Sequence, residues 1–194
     1  MNKTDFFIGK RNKDIVNRTK ELGFEKVIFV KEVSSINEIR KEDKKEYDAI
    51  LIKTKSPELS RRMVDKASYL YPLILVLGTT DIINRSALEH KKVHSLVNPE
   101  YNRNYDYMNY RNSGLNHVLC KIAKDQNKKI IFSFSEILNK HGEERAFVIG
   151  KIMQNIMICK KYKTETEFYN LTTKKEDLRA LGDIKSFFKV LGAN

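Results

Sequence analysis

The feature that most limits this chain is a series of short, unbroken apolar runs set between helix-like stretches. The runs are DFFIG (5–9), KVIFV (26–30), AILIK (49–53), LILVL (73–77), HSLVN (94–98), KIIFSF (129–134) and, more weakly, TEFYN (166–170). Most are rich in Ile, Val, Leu and Phe and do not alternate with polar residues. Strands of that kind are covered on both faces, as in a parallel sheet. The first four runs start 21, 23 and 24 residues apart, a tight but regular βα repeat. Such alternation predicts a parallel sheet with helices outside. Two architectures fit, a closed or nearly closed (β/α) barrel and an open doubly wound sheet. A full eightfold barrel takes about 250 residues, so with 194 residues a barrel here would be small, with about seven strands. The first run leads into GKRNKD, without the G-x-G-x-x-G of a dinucleotide-binding turn. That absence favours the barrel.

The intervening stretches read as helices. Ser56 and Pro57 suit a helix start, because the Ser oxygen accepts an orphan N–H and Pro has none to satisfy. Leu115, Val118, Leu119, Ile122 and Ala123 fall on one helical stripe. The stretch 143–162 is apolar almost all round and predicts a long, deeply packed helix. Residues 176–191 predict a last helix with Leu178, Leu181, Phe188 and Leu191 inward. No Pro/Gly-rich linker interrupts residues 1–194, so one domain is expected. No run approaches the ~20 apolar residues of a membrane span, and the N-terminus lacks the apolar run of a signal peptide. A cytoplasmic protein without membrane contact is expected. Cys120 and Cys159 form no metal-ligand spacing and read as buried thiols.

Charge narrows the function. Lys and Arg number 37 against 25 Asp and Glu, a net +12. The excess runs through both halves of the chain, so this is a basic globular body rather than a neutral one with a basic tail. Such a charge suits a polyanion, and nucleic acid is favoured over an anionic membrane because no basic amphipathic anchor stands out. Acids and histidines are sparse at the carboxyl ends of the runs, where parallel α/β folds keep their chemistry. His90, His94, His117 and His141 form no H-x-H or H-E-x-x-H, no D-x-D occurs, and neither a metal site nor catalytic residues are expected. The segment YNRNYDYMNYRN (101–112) is unusual. Its Tyr101, Tyr105, Tyr107 and Tyr110 interleave with Arg103 and Arg111. Rings offer stacking faces worth about 1–3 kcal/mol per unpaired base, and Arg supplies phosphate contacts. The alternative is a surface loop packed down by its own aromatics. Arg111, Ser113 and His117, beside a helix start, suit a phosphate, or a plain helix cap. Arg61, Arg62, Arg85, Arg145 with Lys151, Lys160 to Lys163, Lys174, Lys175 and Arg179 each read alone as solvated charges.

The run RNSGLNHVLCKIAKDQNKKIIFSFSEIL (111–138) resembles the signature of the archaeal and eukaryotic ribonuclease P protein component 3 family, the thirty-kilodalton subunit. Gly114, Asn116, His117, Val118, Leu119, Ala123, Phe132, Ser133 and Phe134 carry the likeness. HSLVNP (94–99), EERAFVIGKIMQNIMICKKYK (143–163), EDLRALGDI (176–184) and Asp5 support it. Ser135 and Glu136 depart from it, standing where many members have Arg-Pro. So does Leu181-Gly182, which leaves Arg179 as the basic candidate there. The resemblance implies a TIM-barrel-like fold related to the polymerase and histidinol phosphatase (PHP) metal hydrolases, without their metal ligands. It also implies a subunit of the ribonucleoprotein that removes the 5′ leader of precursor tRNA. The RNA and its Mg²⁺ would perform hydrolysis, and the protein would need no cofactor. The implied partners are ribonuclease P RNA, protein component 2 and the other protein subunits, with precursor tRNA met indirectly. Arg62, Arg85, Arg111, His117, Arg145 and Arg179 are the expected phosphate contacts. The alternatives are a PHP-like phosphoesterase carrying its own Mn²⁺ or Zn²⁺, and a barrel that makes only protein contacts.

Overall fold

A computed structural model describes residues 3–103 and 105–193. The seven expected strands all form: β1 (Thr4–Ile8), β2 (Lys26–Val33), β3 (Ala49–Ile52), β4 (Leu73–Leu77), β5 (Ser95–Val97), β6 (Lys129–Ser133) and β7 (Thr166–Tyr169). They pair in chain order, every pair parallel. Around them lie α1 (Lys13–Glu21), α2 (Pro57–Ala67), α3 (Asp81–Glu89), α4 (His117–Asp125), a single turn α5 (Phe134–Leu138), α6 (Gly142–Tyr162) and α7 (Leu181–Val190). The result is a nearly closed, TIM-barrel-like α/β barrel. Among the described residues no helix is long and apolar enough to cross a membrane.

The unbroken apolar runs have a simple cause. Each strand packs inward and outward at once. Phe6, Val30, Leu51, Leu75, Val97, Ile131 and Tyr169 fill the lumen. Ile50, Ile74, Leu96, Ile130 and Phe168 face the helices. Ser56 caps α2 as expected, accepting from the Leu59 amide at 3.3 Å, with Pro57 at the first helical position. Cys120 and Cys159 are both buried.

Closure depends on few bonds. β7 and β1 share no ladder, only a bridge at Phe7 and Thr172, with the Ile8 amide donating to the Thr172 carbonyl at 2.9 Å. The seam is held by side chains. Asp5, fully buried, accepts from the Asn170 amide at 2.9 Å and from Asn170 Nδ2 at 2.6 Å. Burial pushes the Asp5 carboxyl up to about 6 despite those two donors. Phe6 and Tyr169 meet edge to face across the same seam, centroids 4.3 Å apart.

Three sequence expectations change. The last helix begins at Leu181, not 176, because Asn170 holds the preceding residues extended: its Oδ1 accepts from the Arg179 amide at 2.9 Å, and its Nδ2 donates to the Arg179 carbonyl at 3.1 Å. The β2–β3 crossover contains only two 3-10 turns, Ile36–Glu38 and Lys41–Lys45. Its sequence is charge-dense, and its acids are taken up in ion pairs with the barrel, Asp43 with Lys31 largely buried and Glu46 with Lys10 exposed. Finally, α6 is not buried all round. Ile152, Ile156 and Cys159 face the core, while Phe147, Met153 and Met157 lie open to solvent.

Asn170→Ala removes the side-chain donor to Asp5, leaving the backbone amide in place, and both contacts to Arg179. Leaving one oxygen of a buried carboxylate without its donor costs about 1–3 kcal/mol. Urea unfolding is expected to show a loss of about 2–4 kcal/mol, with faster amide exchange at Ile8. A loss below about 0.5 kcal/mol, the range of ordinary surface changes, would place closure elsewhere.

Candidate nucleic-acid interface

The chain leaves β5 through Asn98 in left-handed backbone (φ 44°). Its amide side chain joins the tops of β5 and β6, accepting from the Ser133 amide at 2.8 Å and donating to Ser133 Oγ at 2.7 Å. The long segment that follows is nailed to the barrel from both sides. From α3, Asn84 Nδ2 donates to the carbonyls of Pro99 (3.2 Å) and Gly114 (2.9 Å). At position 114 only glycine fits: φ is +82°, and a Cβ would drive into the Pro99 carbonyl. From α6, Asn155 Nδ2 donates to the Ser113 carbonyl (2.8 Å) and Glu100 Oε2 (3.2 Å). The Lys151 ammonium donates to the Arg103 carbonyl and sits 3.3 Å from Asp106. Arg103 itself binds the Pro99 carbonyl, Asn112 Oδ1 at 2.6 Å and Asp81 at 2.7 Å.

Two cations are therefore structural pins. Lys151, read from the sequence as a solvated charge, is buried, with its side chain 2% exposed. What the pinned segment leaves outside is different. A groove of about 670 Å³ runs between it, α3, α4 and α6, and Arg85, Arg111, His117 and Lys161 line it with Tyr107 and Tyr110. Tyr107 and Tyr110 lie 4.6 Å apart, and Tyr105 meets Tyr107 edge to face at 5.9 Å, all three exposed. Arg111 lies across α6 at Gly150, where a Cβ would strike its guanidinium. His117 opens α4, capped by Asn116, whose side chain accepts from the Leu119 amide at 3.0 Å. Tyr162 is 6.4 Å from His117, ring to ring. An open groove with cations on its walls and rings beside them suits a phosphate backbone with unpaired bases.

The structure thus brings together three of the six expected phosphate contacts. Arg62 lies exposed on α2, outside this groove. Arg145 directs its guanidinium to the carbonyls of Ile137, Leu138 and Lys140, at 3.1, 3.3 and 2.7 Å. Arg179 binds the carbonyls of Glu176 and Leu178 at 2.8 and 3.2 Å. Tyr101 separates from the other tyrosines and lines the barrel mouth, with the Lys53 ammonium 5.5 Å from its ring centre. Sequence reading missed Tyr162 and Gln154 as groove walls. Gln154 stands on the α6 face opposite the buried Ile152, whereas Tyr162 shares the side of Cys159 and packs partly against the core.

The mouth does not suit the metal of the PHP hydrolases. Its ionisable lining mixes Glu32, Glu136 and Asp177 with Lys53, Lys140 and Lys174. Among the described residues no three His, Cys, Asp or Glu side chains are grouped to hold an ion.

The family model described as RNase P subunit p30 matches residues 9–194. Ribonuclease P protein component 3 of Methanocaldococcus jannaschii is 30% identical over 147 residues, covering 76% of this chain and 60% of that protein. The same-named protein of Methanococcus maripaludis strain C6 is 25% identical over 158 residues, covering 81% and 65%. The match therefore spans under two thirds of the length of these relatives. A chain of the cryo-EM structure of archaeal Ribonuclease P with mature tRNA superposes with a TM-score of 0.77 at 25% identity, over 98% of this chain and 83% of that one. An uncharacterised protein at 12% identity and TM-score 0.62 shares the fold.

The buried side of the loop carries its own pH dependence. Burial pushes the Glu100 carboxyl up to about 8, reinforced by Glu136 and opposed by Asn155 and Arg103. Glu100 Oε1 and Asn155 Oδ1 both lack a donor among the described residues, and a proton on Glu100 supplies one. The unfolded chain gives up this proton near the ordinary 4.5, the folded chain only near 8. Stability is therefore fully present below 4.5 and falls as pH rises to 8, by up to about 5 kcal/mol. Glu100→Gln is expected to flatten that decline and to melt several degrees above the parent at pH 8.5. Thermal melts at pH 5 and 8.5 check this, and parallel pH profiles for the two proteins would refute it.

Proposed function

The chain belongs to the RNase P subunit p30 family, and on that premise we propose that it is an RNA-binding, non-catalytic subunit of a ribonuclease P, the ribonucleoprotein that removes the 5′ leader from precursor tRNA. The observation that carries this reading is the convergence of Arg85, Arg111, His117, Lys161 and the Tyr107–Tyr110 pair on one open groove. Cations there neutralise closely packed RNA phosphates and release their counterions, which lets RNA helices approach one another. The rings take bases that the RNA leaves unpaired. Hydrolysis belongs to the RNA and its Mg²⁺, and the protein contributes no metal ligand set. Arg62 extends the basic surface along α2. Arg145 and Arg179 serve the RNA indirectly by fixing the turns they bind.

The protein partner, component 2, docks on the exposed stripe of α6. Phe147, Met153 and Met157 present apolar surface there that no other element covers. Exposed methionines and aromatics of this kind are enriched at protein interfaces.

Arg111→Ala combined with His117→Ala is expected to leave the melting temperature within a few degrees of the parent. It should lower the salt slope of RNA binding by about 1–2 and raise the Mg²⁺ needed for precursor tRNA cleavage in the reconstituted particle. Unchanged cleavage and unchanged Mg²⁺ demand would remove the groove from the RNA interface. Separately, Phe147→Asp with Met157→Asp is expected to weaken co-purification with component 2 at least tenfold. Retention at parental levels would move the docking face off α6.

A further inference from the structure

The barrel mouth holds a second cavity that the groove does not use. It measures about 440 Å³ and is lined by the carboxyl ends of the strands and the segments after them. That volume lies within the ~300–1,000 Å³ range of small-molecule sites, and this end of a (β/α) barrel is where such folds bind ligands. Two non-glycine residues at its rim, Asn98 and Leu171, have left-handed backbone, each with φ 44°. Strained backbone at such positions is concentrated at ligand sites.

Its chemistry is mixed in a specific way. Glu136 turns a half-buried carboxylate into the cavity. Its backbone N–H is bound to Ser133 Oγ, but no donor among the described residues reaches its carboxylate. Burial raises that carboxyl, with Lys140 and Lys53 opposing. Lys53 stands between Glu32, at 3.3 Å, and the ring of Tyr101, at 5.5 Å. The site therefore offers an acceptor with two adjacent lone-pair oxygens, a cationic donor and an aromatic wall.

We propose that the barrel mouth is a guanine-binding pocket, in which Glu136 accepts from the N1–H and N2–H of the base, Lys53 donates to O6 and Tyr101 walls the ring. Guanine alone among the four bases carries two neighbouring donors beside an acceptor on one edge. A carboxylate accepts such a pair, and Lys pairs with O6. Adenine and cytosine present one amino group next to an acceptor, and uracil one N–H between two acceptors. Each would leave a Glu136 oxygen facing a lone pair. Lys140 and Lys174, at the rim, face the attached phosphate. The base comes either from a free guanine nucleotide or from an unpaired guanine of an RNA.

Calorimetry with the full chain and GMP, AMP, CMP or UMP tests the pocket without reference to ribonuclease P. GMP is expected to bind at least tenfold more tightly than each of the others. Glu136→Gln, which replaces one acceptor with a donor, should abolish that preference with an unchanged melting temperature. Lys53→Met should weaken GMP binding at least fivefold through a different contact, so that failure of one variant to fold still leaves a test. Equal binding of the four nucleotides, or no GMP binding, overturns the proposal and leaves the RNA-groove reading standing, because that rests on cleavage with Arg111 and His117 changed. A hairpin RNA with one unpaired loop guanine, compared with its adenine counterpart, then separates the sources: a preference in the hairpin assigns the pocket to RNA, and a preference confined to GMP assigns it to free nucleotide.

Discussion

The architecture depends on one buried bracket. Six of the seven possible strand-to-strand joins are backbone ladders. The seventh, between β7 and β1, depends on the Asp5 carboxylate and the Asn170 amide. Burying a carboxylate costs stability, and the raised Asp5 carboxyl records that cost. An apolar pair at the seam would be less costly to bury but would tolerate sliding of one strand along the other. Two directed hydrogen bonds fix the register. The same Asn170 holds Arg179 extended, so the group that closes the barrel also sets where α7 begins. The Phe188 ring of α7 then stacks on Phe168 at 4.3 Å, tying the seam to the outer core.

The second organising constraint is the division of cations into pins and free groups. The long segment after β5 has too little apolar content to hold itself down, since Tyr105, Tyr107, Met108 and Tyr110 all point outward. It is held instead by side chains reaching from the framework: Asn84 from α3, and Lys151 and Asn155 from α6. Arg103 does the same from within. Each such pin consumes its donors on carbonyls or carboxylates and is lost to any outside anion. Arg111 and His117 remain available because the pins immobilise the backbone that carries them. Binding then spends little conformational entropy on ordering the loop, a cost of about 1–2 kcal/mol per residue when a chain must be ordered on binding.

The barrel was legible in the sequence for a physical reason. Parallel strands covered on both faces cannot alternate, so LILVL and AILIK announced themselves, and their spacing gave the strand number. The convergence of Arg85, Arg111 and His117 was only partly legible. Arg111 and His117 are six residues apart, whereas Arg85 and Lys161 come from helices that the sequence does not place side by side. Whether a cation is free or a pin was not legible. Lys151 and Lys161 look alike in the chain, yet one faces the Arg103 carbonyl and the other the groove. The reading of α6 failed similarly, because an all-round apolar helix has no stripe to say which side is covered. The neighbours of Ile152 settle its buried face. Met157, on the same helix, is left open to solvent.

On the proposed reading, these constraints place the continuous RNA contacts on the outer wall and leave the barrel mouth for at most a single base. A phosphate backbone is wide and must be met by several cations along its path. The groove between α3, α4 and α6 is open and draws its charges from separate elements, so each can be retained without disturbing the strands. The mouth is narrower, and its lysines share it with Glu32, Glu136 and Asp177. Acids at that density repel a continuous polyanion but accept the edge of one base. On the proposed reading, a barrel with mixed charges in its mouth and with Arg111, His117 and Lys161 on its outer groove, beside an Arg85 paired with Glu89, is suited to hold a folded RNA along its flank. Its net charge of +12 acts through the position of a few unpinned groups rather than through its total.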